Sequence, residues 1–460
     1  MSGNSDIRPG DARCPGISVQ DLLDDDSRPV PDYLTTESYF FLGDKDIAFS
    51  RYTSPDYFRR ELEQLWPKVW QWACREEHIP ETGDYVVYDV GPYSILVVRA
   101  EDGGIRAFRN ACTHRGTKLR PSYSSGSIEH IRCPYHGWTF NLDGDLASFP
   151  CEWDFPHVDP KDYALGAVQV DTWGGFVFIN MDPDAPPLRE YMAPLPEHVD
   201  SAVFANRYVA IHVQKELDCN WKIASEAFLE AYHVMETHSQ LMRTNGDANT
   251  QYDFYGDNVN RLINVAGSPS AFLQEPMTEQ EILDCFLIGD RSDVGEKLLV
   301  PEGGTARKVM AQFYRDMVAK RGGTDLSRVS DSEIVDSIAY FVFPNQQFFS
   351  GISFPIVYRF RPLGMQHDKS LFDLIILKQR PLDGSPVEPA EPVRLKPEES
   401  YTIVPGMDPY VGHVYDQDTG NMEAAQEGAM TSGRAGATLG NYQEIRIRHM
   451  HRTLEKYVRD

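Results

Sequence analysis

Residue types that bind a catalytic metal ion occur between Asn220 and His238, in the sequence N-W-K-I-A-S-E-A-F-L-E-A-Y-H-V-M-E-T-H. Read as one helix, this stretch places Glu226, Glu230 and His233 at i, i+4 and i+7, along a single face. His238 comes five residues after His233, about 140° further round an ideal helix, so both imidazoles reach one ion only if the helix ends or distorts between them. Two imidazoles with a carboxylate from elsewhere form the facial triad that binds ferrous iron and activates dioxygen. The alternative is an amphipathic helix with two surface or core histidines.

A second set of candidate ligands lies earlier in the chain. Cys112 and His114 form a C-x-H pair, and Cys133 and His136 form a C-x-x-H pair, with eighteen residues between the two pairs. Each pair is short enough to sit on one turn, so two loops can close on one metal centre. Thiolates and imidazoles together suit zinc or an iron–sulfur cluster.

The residues around these pairs favour the iron–sulfur cluster. Zinc loops seldom need Gly116, Gly137 and Trp138 beside the ligands. The two segments, C-T-H-R-G and C-P-Y-H-G-W, are similar to the signature of Rieske [2Fe–2S] proteins. In that arrangement two cysteines bind one iron and two histidines the other, which raises the reduction potential to roughly −150 to +300 mV, against about −400 mV for plant-type ferredoxins. Such a cluster accepts electrons readily from a low-potential ferredoxin or flavin.

Together the two motifs resemble the large (alpha) subunit of Rieske non-haem iron oxygenases, in the aromatic ring-hydroxylating dioxygenase family. The resemblance runs from about residue 50 to 430, with a Rieske site followed by N-W-K and E-x-Y-H-x(4)-H in the same order. It implies two cofactors with these ligands: Cys112, His114, Cys133 and His136 for a Rieske [2Fe–2S] cluster, and His233, His238 and Asp418 for a mononuclear Fe(II).

Asp418 is the carboxylate ligand that the resemblance implies, because it stands three residues before N-M-E, the spacing seen in family members. Two alternatives remain open. Asp418 or Thr419 could instead cap a helix over residues 422–429, and Asp416 is a rival ligand.

Glu230 falls where the family often places an aspartate that links the two metal centres. The resemblance implies that Glu230 accepts hydrogen bonds from His233 of its own subunit and from His136 of the partner subunit, and such carboxylates fix the tautomer and raise the basicity of a ligand. Glutamate has one more methylene than aspartate, so we expect the hydrogen-bonded connection between the two histidines to be longer or bent. A solvated or salt-bridged helix carboxylate is the alternative. Many relatives carry Asn where this chain has Ala227, so this chain lacks that polar group near the iron.

The resemblance implies a terminal oxygenase. A separate reductase or ferredoxin supplies electrons, which pass through the cluster to Fe(II), and oxygen from O2 enters a hydrophobic, aromatic or polycyclic substrate. The sequence contains no flavin- or nicotinamide-binding glycine fingerprint, in agreement with a separate reductase. Oxidative O- or N-demethylation is the alternative within the family. An electron carrier or a zinc-stabilised binding protein is the alternative outside it.

Two further groups of residues have both a functional and a structural interpretation. Large apolar side chains could line the substrate pocket or form ordinary core: Phe228, Leu229, Val234, Met235 and the run 341–360. Basic side chains beside the cluster could dock an acidic electron donor or be solvated loop charges: Arg115, Lys118 and Arg120.

Composition limits the partners and the compartment. The 460 residues include 69 acidic and 44 basic side chains, a formal net charge of −25, which argues against nucleic acid or an anionic membrane as a partner. The apolar runs are too short to span a bilayer, and the first forty residues do not resemble a signal peptide. Seven cysteines at irregular spacings are typical of reduced thiols. We therefore expect a cytoplasmic protein.

The elements that position these residues predict an α+β fold. Short strands with turn signals between about residues 70 and 175 predict a small antiparallel β domain that carries the Cys/His pairs, and residues 338–360 and 370–378 resemble central strands of a larger antiparallel sheet. With the resemblance, three segments follow: 1–69, an N-terminal arm and helix that belong to the catalytic domain; 70–175, an inserted Rieske domain; and 176–460, the catalytic iron domain, with a central antiparallel sheet flanked by helices. The resemblance also implies a homotrimer or an α3β3 assembly.

Overall fold

The computed structural model describes residue 11 and residues 13–286, 298–320, 325–353, 355–381 and 383–459. Two antiparallel β systems organise these residues, in agreement with the predicted α+β fold. The smaller system contains both Cys/His pairs, and the larger one belongs to the part of the chain that contains His233 and His238.

The smaller β system combines a seven-stranded sheet with a three-stranded sheet. The seven strands, in spatial order, are Gln71–Arg75, Phe176–Asn180, Ala167–Trp173, Ile105–Arg109, Tyr93–Arg99, Asp84–Val90 and Ser125–Ser127. The three strands are Ile131–Arg132, Thr139–Phe140 and Leu146–Ser148. The strand Phe176–Asn180 pairs inside the seven-stranded sheet. The last strand of this sheet therefore extends to Asn180, five residues past the predicted boundary at residue 175.

The larger β system is an eight-stranded sheet within the described residues. Its strands, in spatial order, are Gln251–Tyr255, Val259–Asn264, Ser337–Val342, Gln346–Phe349, Ile356–Pro362, Ser370–Gln379, Arg207–Leu217 and Val393–Leu395. Neighbouring strands are antiparallel except Val393–Leu395, which runs parallel to Arg207–Leu217. The predicted central strands are confirmed, since both predicted segments lie in this sheet.

Helices surround the large sheet. The α-helices are Val19–Asp24, Ser50–Thr53, Pro55–Gln64, Leu188–Tyr191, Leu195–His198, Ala202–Ala205, Trp221–Glu226, Val234–Thr237, Glu279–Phe286, Ala306–Lys320, Asp331–Val335, Pro409–Gly420, Met422–Thr431 and Ile445–Tyr457. A two-stranded pair, Ile47–Ala48 with Gly436–Ala437, joins the N-terminal arm to the C-terminal part of the chain. Within the residues that the structure describes, no helix combines the length and the apolar character needed to cross a bilayer.

A buried ion cluster centred on Asp373 joins the two β systems. The Asp373 carboxylate accepts hydrogen bonds from Arg359 Nε at 3.0 Å and Arg361 Nε at 3.3 Å. Arg359 also donates to the Trp72 carbonyl at 2.5 Å, and Arg361 to the Asp89 carbonyl at 2.7 Å, both in the smaller β system. Burial alone would raise the pKa of Asp373, but the two arginines hold it well below its ordinary value. One carboxylate thus compensates two buried cations that hold the domains together.

We expect Asp373→Ala to destabilise the protein by about 3–5 kcal/mol, because removing one partner leaves buried charges uncompensated. Urea denaturation followed by circular dichroism measures the loss. The matched control is Asp383→Ala, at an exposed position after the same strand, which should leave stability nearly unchanged. Equal effects of the two substitutions would contradict the bridging role of Asp373.

His78, at the same junction, makes stability depend on pH. Its Nδ1 accepts a hydrogen bond from the Arg75 N–H at 3.2 Å, and burial, with the nearby His212 and two arginines, lowers the pKa of His78 from 6.5 to about 3. Below pH 6.5 the unfolded chain therefore binds a proton that the folded protein does not accept until about pH 3. This contribution to stability is complete above pH 6.5 and is lost as the pH falls toward 3. When the pH is lowered from about 7.5 to 5, we expect the urea midpoint of His78→Gln to fall less than that of the wild type. An identical fall in both proteins would contradict the role of His78 in this pH dependence.

Candidate metal centres

The stretch from Asn220 to His238 is not one continuous helix, contrary to the prediction from its spacing. The helix Trp221–Glu226 is followed by turns and then by the short helix Val234–Thr237. His233 directly precedes the short helix and His238 directly follows it. The change in backbone direction allows both imidazoles to reach the same point.

Beyond the turns that follow Glu226, two backbone N–H groups have side-chain partners in place of helix carbonyls. The Ala231 N–H donates to the Tyr252 hydroxyl at 3.2 Å, and the His233 N–H donates to Glu230 Oε2 at 2.9 Å. These N–H groups are thus satisfied without the carbonyls of a continuing helix.

The beginning of the stretch is anchored by the side chains of N-W-K. Asn220 Oδ1 accepts from the Lys222 N–H at 3.1 Å and caps the helix. Lys222 Nζ and Trp221 Nε1 donate to the two oxygens of Glu61, at 2.6 and 3.1 Å. Glu61 belongs to the helix Pro55–Gln64. The N-terminal helix is therefore tied to the catalytic part of the chain across the intervening β system.

Glu226 ties the end of this helix to distant segments. Its carboxylate accepts from the Tyr52 hydroxyl at 3.1 Å and lies 2.7 Å from His451 Nε2. Arg51 donates to His451 Nδ1 at 3.1 Å, so the neutral His451 ring carries its proton on Nε2 and donates it to Glu226. The spacing predicted Glu226 and Glu230 on one continuous helix, but Glu226 is the last residue of its helix and Glu230 lies in the turns that follow.

His233, His238 and Asp418 converge on one point. Their candidate ligand atoms all lie within 4.8 Å of one another, a property of no other group of three or more His, Cys, Asp or Glu residues in the described part of the chain. Asp418 Oδ1 is 2.7 Å from His238 Nε2 and 3.4 Å from His233 Nε2. Asp418 comes from the helix Pro409–Gly420. Two imidazoles and one carboxylate thus meet as a facial triad requires.

The charges of this group suit a bound cation. Burial alone would raise the pKa of Asp418, but hydrogen bonds from the two histidines hold it below its ordinary value. Burial alone would lower the pKa of His233, but the carboxylates of Glu230 and Asp418 raise it to about 10. A proton on His233 therefore balances the carboxylates in the metal-free protein, and a metal ion would take its place.

Both imidazoles have Nδ1 held by a side-chain oxygen. His233 Nδ1 is 2.7 Å from Glu230 Oε1, and His238 Nδ1 is 3.0 Å from Gln417 Oε1. A hydrogen bond at one ring nitrogen determines which nitrogen is free to bind a metal, so Nε2 of each ring is available beside Asp418. Sequence reasoning missed Gln417, for which the one signal was its position next to Asp418.

The structure brings Asp418, and not Asp416, to the histidines. The Asp416 carboxylate instead accepts from Ser400 Oγ at 2.5 Å and the Tyr401 N–H at 3.0 Å. The capping alternative also fails for Asp418, which lies inside its own helix, while Asn421 occupies the cap of the next one.

Aromatic side chains pack close to Asp418. The Tyr415 hydroxyl, from the same helix as Asp418, lies 2.7 Å from the Tyr358 hydroxyl. The Phe228 ring contacts Tyr358 and Phe372, with centroid distances of 5.0 and 5.2 Å. The phenylalanines that the structure describes in the run 341–360 are buried, which supports the structural interpretation of these side chains as ordinary core.

The two Cys/His loops share one backbone pattern. The Gly116 N–H donates to the Cys112 carbonyl at 2.9 Å, and the Gly137 N–H donates to the Cys133 carbonyl at 3.1 Å. Both glycines adopt positive φ, +74° and +73°, a conformation that favours glycine. The glycines of the motif are therefore required by the loops that present the ligands.

Within these loops the cysteines and the histidines form separate pairs. Burial raises the pKa of the Cys112 thiol to about 11, and a hydrogen bond with the Cys133 thiol contributes, so the two sulfurs are adjacent. The rings of His114 and His136 lie 4.8 Å apart, and His114 stacks on Trp138 at 4.9 Å. The cysteines are buried and the histidines are half-buried, so electrons could enter through the imidazole edge.

A single zinc ion does not fit these four residues. Zn–S bonds of about 2.3 Å and Zn–N bonds of about 2.0 Å would bring all four ligand atoms within about 4 Å of one another. Across the described ranges, these residues form no group of three with ligand atoms all within 4.8 Å. Two separate pairs instead fit a cluster with two irons.

Of the basic side chains near the cluster, two have local partners. Lys118 pairs with Asp89 at 3.1 Å, and Arg120 donates to the Leu119 carbonyl at 2.8 Å. Arg115 is exposed, with its guanidinium 5.5 Å from the centre of the Tyr135 ring.

Comparison with known proteins agrees with both centres. A family model described as the Rieske [2Fe-2S] domain matches residues 69–159, and one described as the ring hydroxylating alpha subunit (catalytic domain) matches residues 204–460. The glycine betaine monooxygenase oxygenase subunit of Pseudomonas aeruginosa is 30% identical over 230 residues, 50% of this chain and 52% of the relative. The chlorobenzene dioxygenase subunit alpha of a Cupriavidus species is 35% identical over 192 residues, 40% of this chain and 42% of the relative. In both comparisons the chain spans about half the relative's length or less.

The fold is also similar to that of solved structures. A quaternary ammonium Rieske monooxygenase superposes with a TM-score of 0.63 at 20% identity, covering 90% of this chain and 95% of that one. The chain therefore belongs to the family of ring-hydroxylating alpha subunits, with a Rieske domain ahead of the catalytic domain. Its cofactors are accordingly a Rieske [2Fe–2S] cluster and a mononuclear iron.

Proposed function

We propose that this protein is the terminal component of a Rieske oxygenase, which takes electrons from a separate reductase or ferredoxin and inserts oxygen from O2 into a small organic substrate. The observation that carries the proposal is the convergence of His233, His238 and Asp418 within 4.8 Å, in a chain that also contains a Rieske domain. A cytoplasmic location is part of the proposal and rests on the irregular cysteine spacing.

The proposed ligands are those inferred from the motifs. Cys112, His114, Cys133 and His136 would hold the cluster, and His233, His238 and Asp418 the mononuclear iron. When bound, the cluster supplies stored electrons and the ferrous iron supplies dioxygen activation.

Side chains beside the iron site determine which ring nitrogens of the two histidines carry a proton. The Nδ1 contacts of His233 and His238 keep Nε2 of each ring free of a proton when the metal is bound. The buried Asp418 and the aromatic side chains beside it reduce access of water to the site.

Glu230 is proposed to connect the two centres between subunits. Its side chain is 9% exposed and already holds His233, while His136 is half-buried at the edge of the Rieske domain. In a trimer, or α3β3 assembly, Glu230 could accept a second hydrogen bond from His136 of the partner subunit. The exposed Arg115 is a candidate contact for an acidic electron donor.

Two substrate classes remain in the proposal. Similarity to a chlorobenzene dioxygenase alpha subunit supports a hydrophobic or aromatic substrate, and the half-buried Phe228 ring is a candidate to contact it. A quaternary ammonium substrate, oxidised or N-demethylated, is the second candidate, because aromatic rings also bind such cations. Burial raises the pKa of Glu444, and the charges of Glu230 and Glu226 raise it further, so three carboxylates lie near one another beside His233. Similarity to a glycine betaine monooxygenase subunit adds support.

Product analysis under ¹⁸O-labelled dioxygen tests the function and separates these classes. The purified protein, a reductase and NADH would be incubated with aromatic acids, polycyclic hydrocarbons, methyl ethers and quaternary ammonium compounds. We expect substrate-dependent oxygen uptake and ¹⁸O in a hydroxylated product, or in the formaldehyde released by demethylation. Reduction of the cluster without oxygen uptake on any substrate would favour a simple electron carrier.

A further inference from the structure

The two imidazoles of the proposed iron site are supported by chemically different groups. Glu230 is a carboxylate, and it holds His233 at two atoms, the ring Nδ1 at 2.7 Å and the backbone N–H at 2.9 Å. Gln417 is a neutral amide and holds His238 at one atom, at 3.0 Å. Hydrogen bonds to ionised acceptors are shorter and roughly twice as strong as those between neutral groups. His233 is therefore the more strongly polarised imidazole.

Gln417 is itself oriented by a second glutamine. Gln240 Nε2 donates to Gln417 Oε1 at 2.6 Å, the same oxygen that faces His238 Nδ1. A ring that uses Nε2 as a ligand must donate from Nδ1, so it requires the amide oxygen and not the amide NH2 group. The two donors together determine which way the Gln417 amide faces.

We propose, on the basis of the proposed ligand set, that Gln417 is a positioning residue that keeps His238 the weaker electron donor of the two imidazoles, and that Gln240 holds Gln417 in place. A carboxylate beside each imidazole would add negative charge around the iron and favour the ferric state, whereas dioxygen binds to the ferrous state. A neutral acceptor fixes the ring without this added charge.

Gln417→Glu tests the electronic part of this proposal. The substitution keeps the length of the side chain and its acceptor atom but adds a negative charge. We expect iron to be retained, the cluster spectrum to be unchanged and the midpoint potential of the mononuclear iron to fall, as measured by redox titration of its ferric EPR signal. An unchanged or higher midpoint potential would overturn the proposal.

Gln417→Leu tests the positioning part. Loss of a hydrogen-bond partner of a metal ligand typically costs 10–100-fold in affinity, so we expect iron to bind about 10–100-fold more weakly. Gln240→Leu should weaken binding in the same direction but by less, because Gln417 remains. Gln366→Leu, at an exposed loop position, is the matched control, and the Rieske spectrum and melting temperature report whether each variant is folded.

His238→Ala separates a failure of the proposed role of Gln417 from a failure of the proposed iron ligands. If Gln417→Leu binds iron like the wild type while His238→Ala loses it, the role of Gln417 is wrong and the ligand set stands. If His238→Ala also retains iron, the ligand set itself is wrong.

Discussion

Asp418→Ala should remove the mononuclear iron and abolish oxygenation while leaving the Rieske cluster intact. Asp418 Oδ1 lies against both imidazoles, 2.7 Å from His238 Nε2 and 3.4 Å from His233 Nε2. Without it the two neutral imidazoles lose the negative charge that balances a divalent ion. Metal analysis should show one iron fewer per chain, with acid-labile sulfide unchanged.

Asp416→Ala is the matched control for this experiment. Asp416 lies on the same helix, but its carboxylate binds Ser400 and the Tyr401 N–H. We expect this variant to keep its full iron content. Loss of iron from Asp416→Ala with retention in Asp418→Ala would show that the carboxylate ligand has been misassigned.

Glu230→Gln should retain both metal centres yet lose turnover by about two orders of magnitude, at the upper end of the effect of removing such a support. The glutamine oxygen can still hold one imidazole, so iron remains. A neutral amide offers one acceptor atom in place of two and accepts weaker hydrogen bonds than a carboxylate, so its contacts with the two imidazoles are weaker. Electron transfer between the centres should therefore slow. Stopped-flow oxidation of the pre-reduced cluster by dioxygen and substrate measures that step directly.

The control for Glu230→Gln is Glu236→Gln. Glu236 lies in the same stretch, on the helix Val234–Thr237, and is exposed. The two substitutions make the same change in charge, so a general electrostatic effect would slow both variants alike. Near-normal turnover of Glu230→Gln would remove its bridging role.

Local motifs predicted the parts of the site whose geometry is also local. Each Cys/His loop is closed by a hydrogen bond within five residues, from the glycine N–H to the cysteine carbonyl. The residues that determine the shape of the loop are therefore all within the motif. The strands of the large sheet between residues 337 and 379 were predictable because their β-branched and aromatic residues are buried in the sheet, whereas the other four strands of that sheet were not predicted.

The path of the backbone between Glu226 and His238 could not be predicted from spacing. Its first helix ends at Glu226, which is held by His451. Farther along, the side chains of Tyr252 and Glu230 accept two backbone N–H groups that a continuing helix would pair with carbonyls. His451 lies 225 residues away in the chain. A periodic pattern contains no signal for such contacts, so it predicted one continuous helix where the structure has two short ones.

The same limit applies to the neighbours of the ligands. Gln417 is 179 residues from His238, and its role depends on how the helix Pro409–Gly420 packs against the histidines. Asp418 was separable from Asp416 only through the resemblance to the family, since both are aspartates on one helix, two residues apart. Packing in three dimensions, which directs one toward the histidines and the other away, distinguishes them.

EPR of the dithionite-reduced protein, combined with iron and sulfide analysis, tests most directly whether one chain holds both an electron-storing cluster and a separate oxygen-reactive iron. We expect a rhombic low-field signal typical of a Rieske cluster, and iron in excess of acid-labile sulfide by one atom per chain, with that excess absent in Asp418→Ala. Zinc in place of iron and no labile sulfide would contradict the account, as would an equal content of iron and sulfide in the fully loaded wild type.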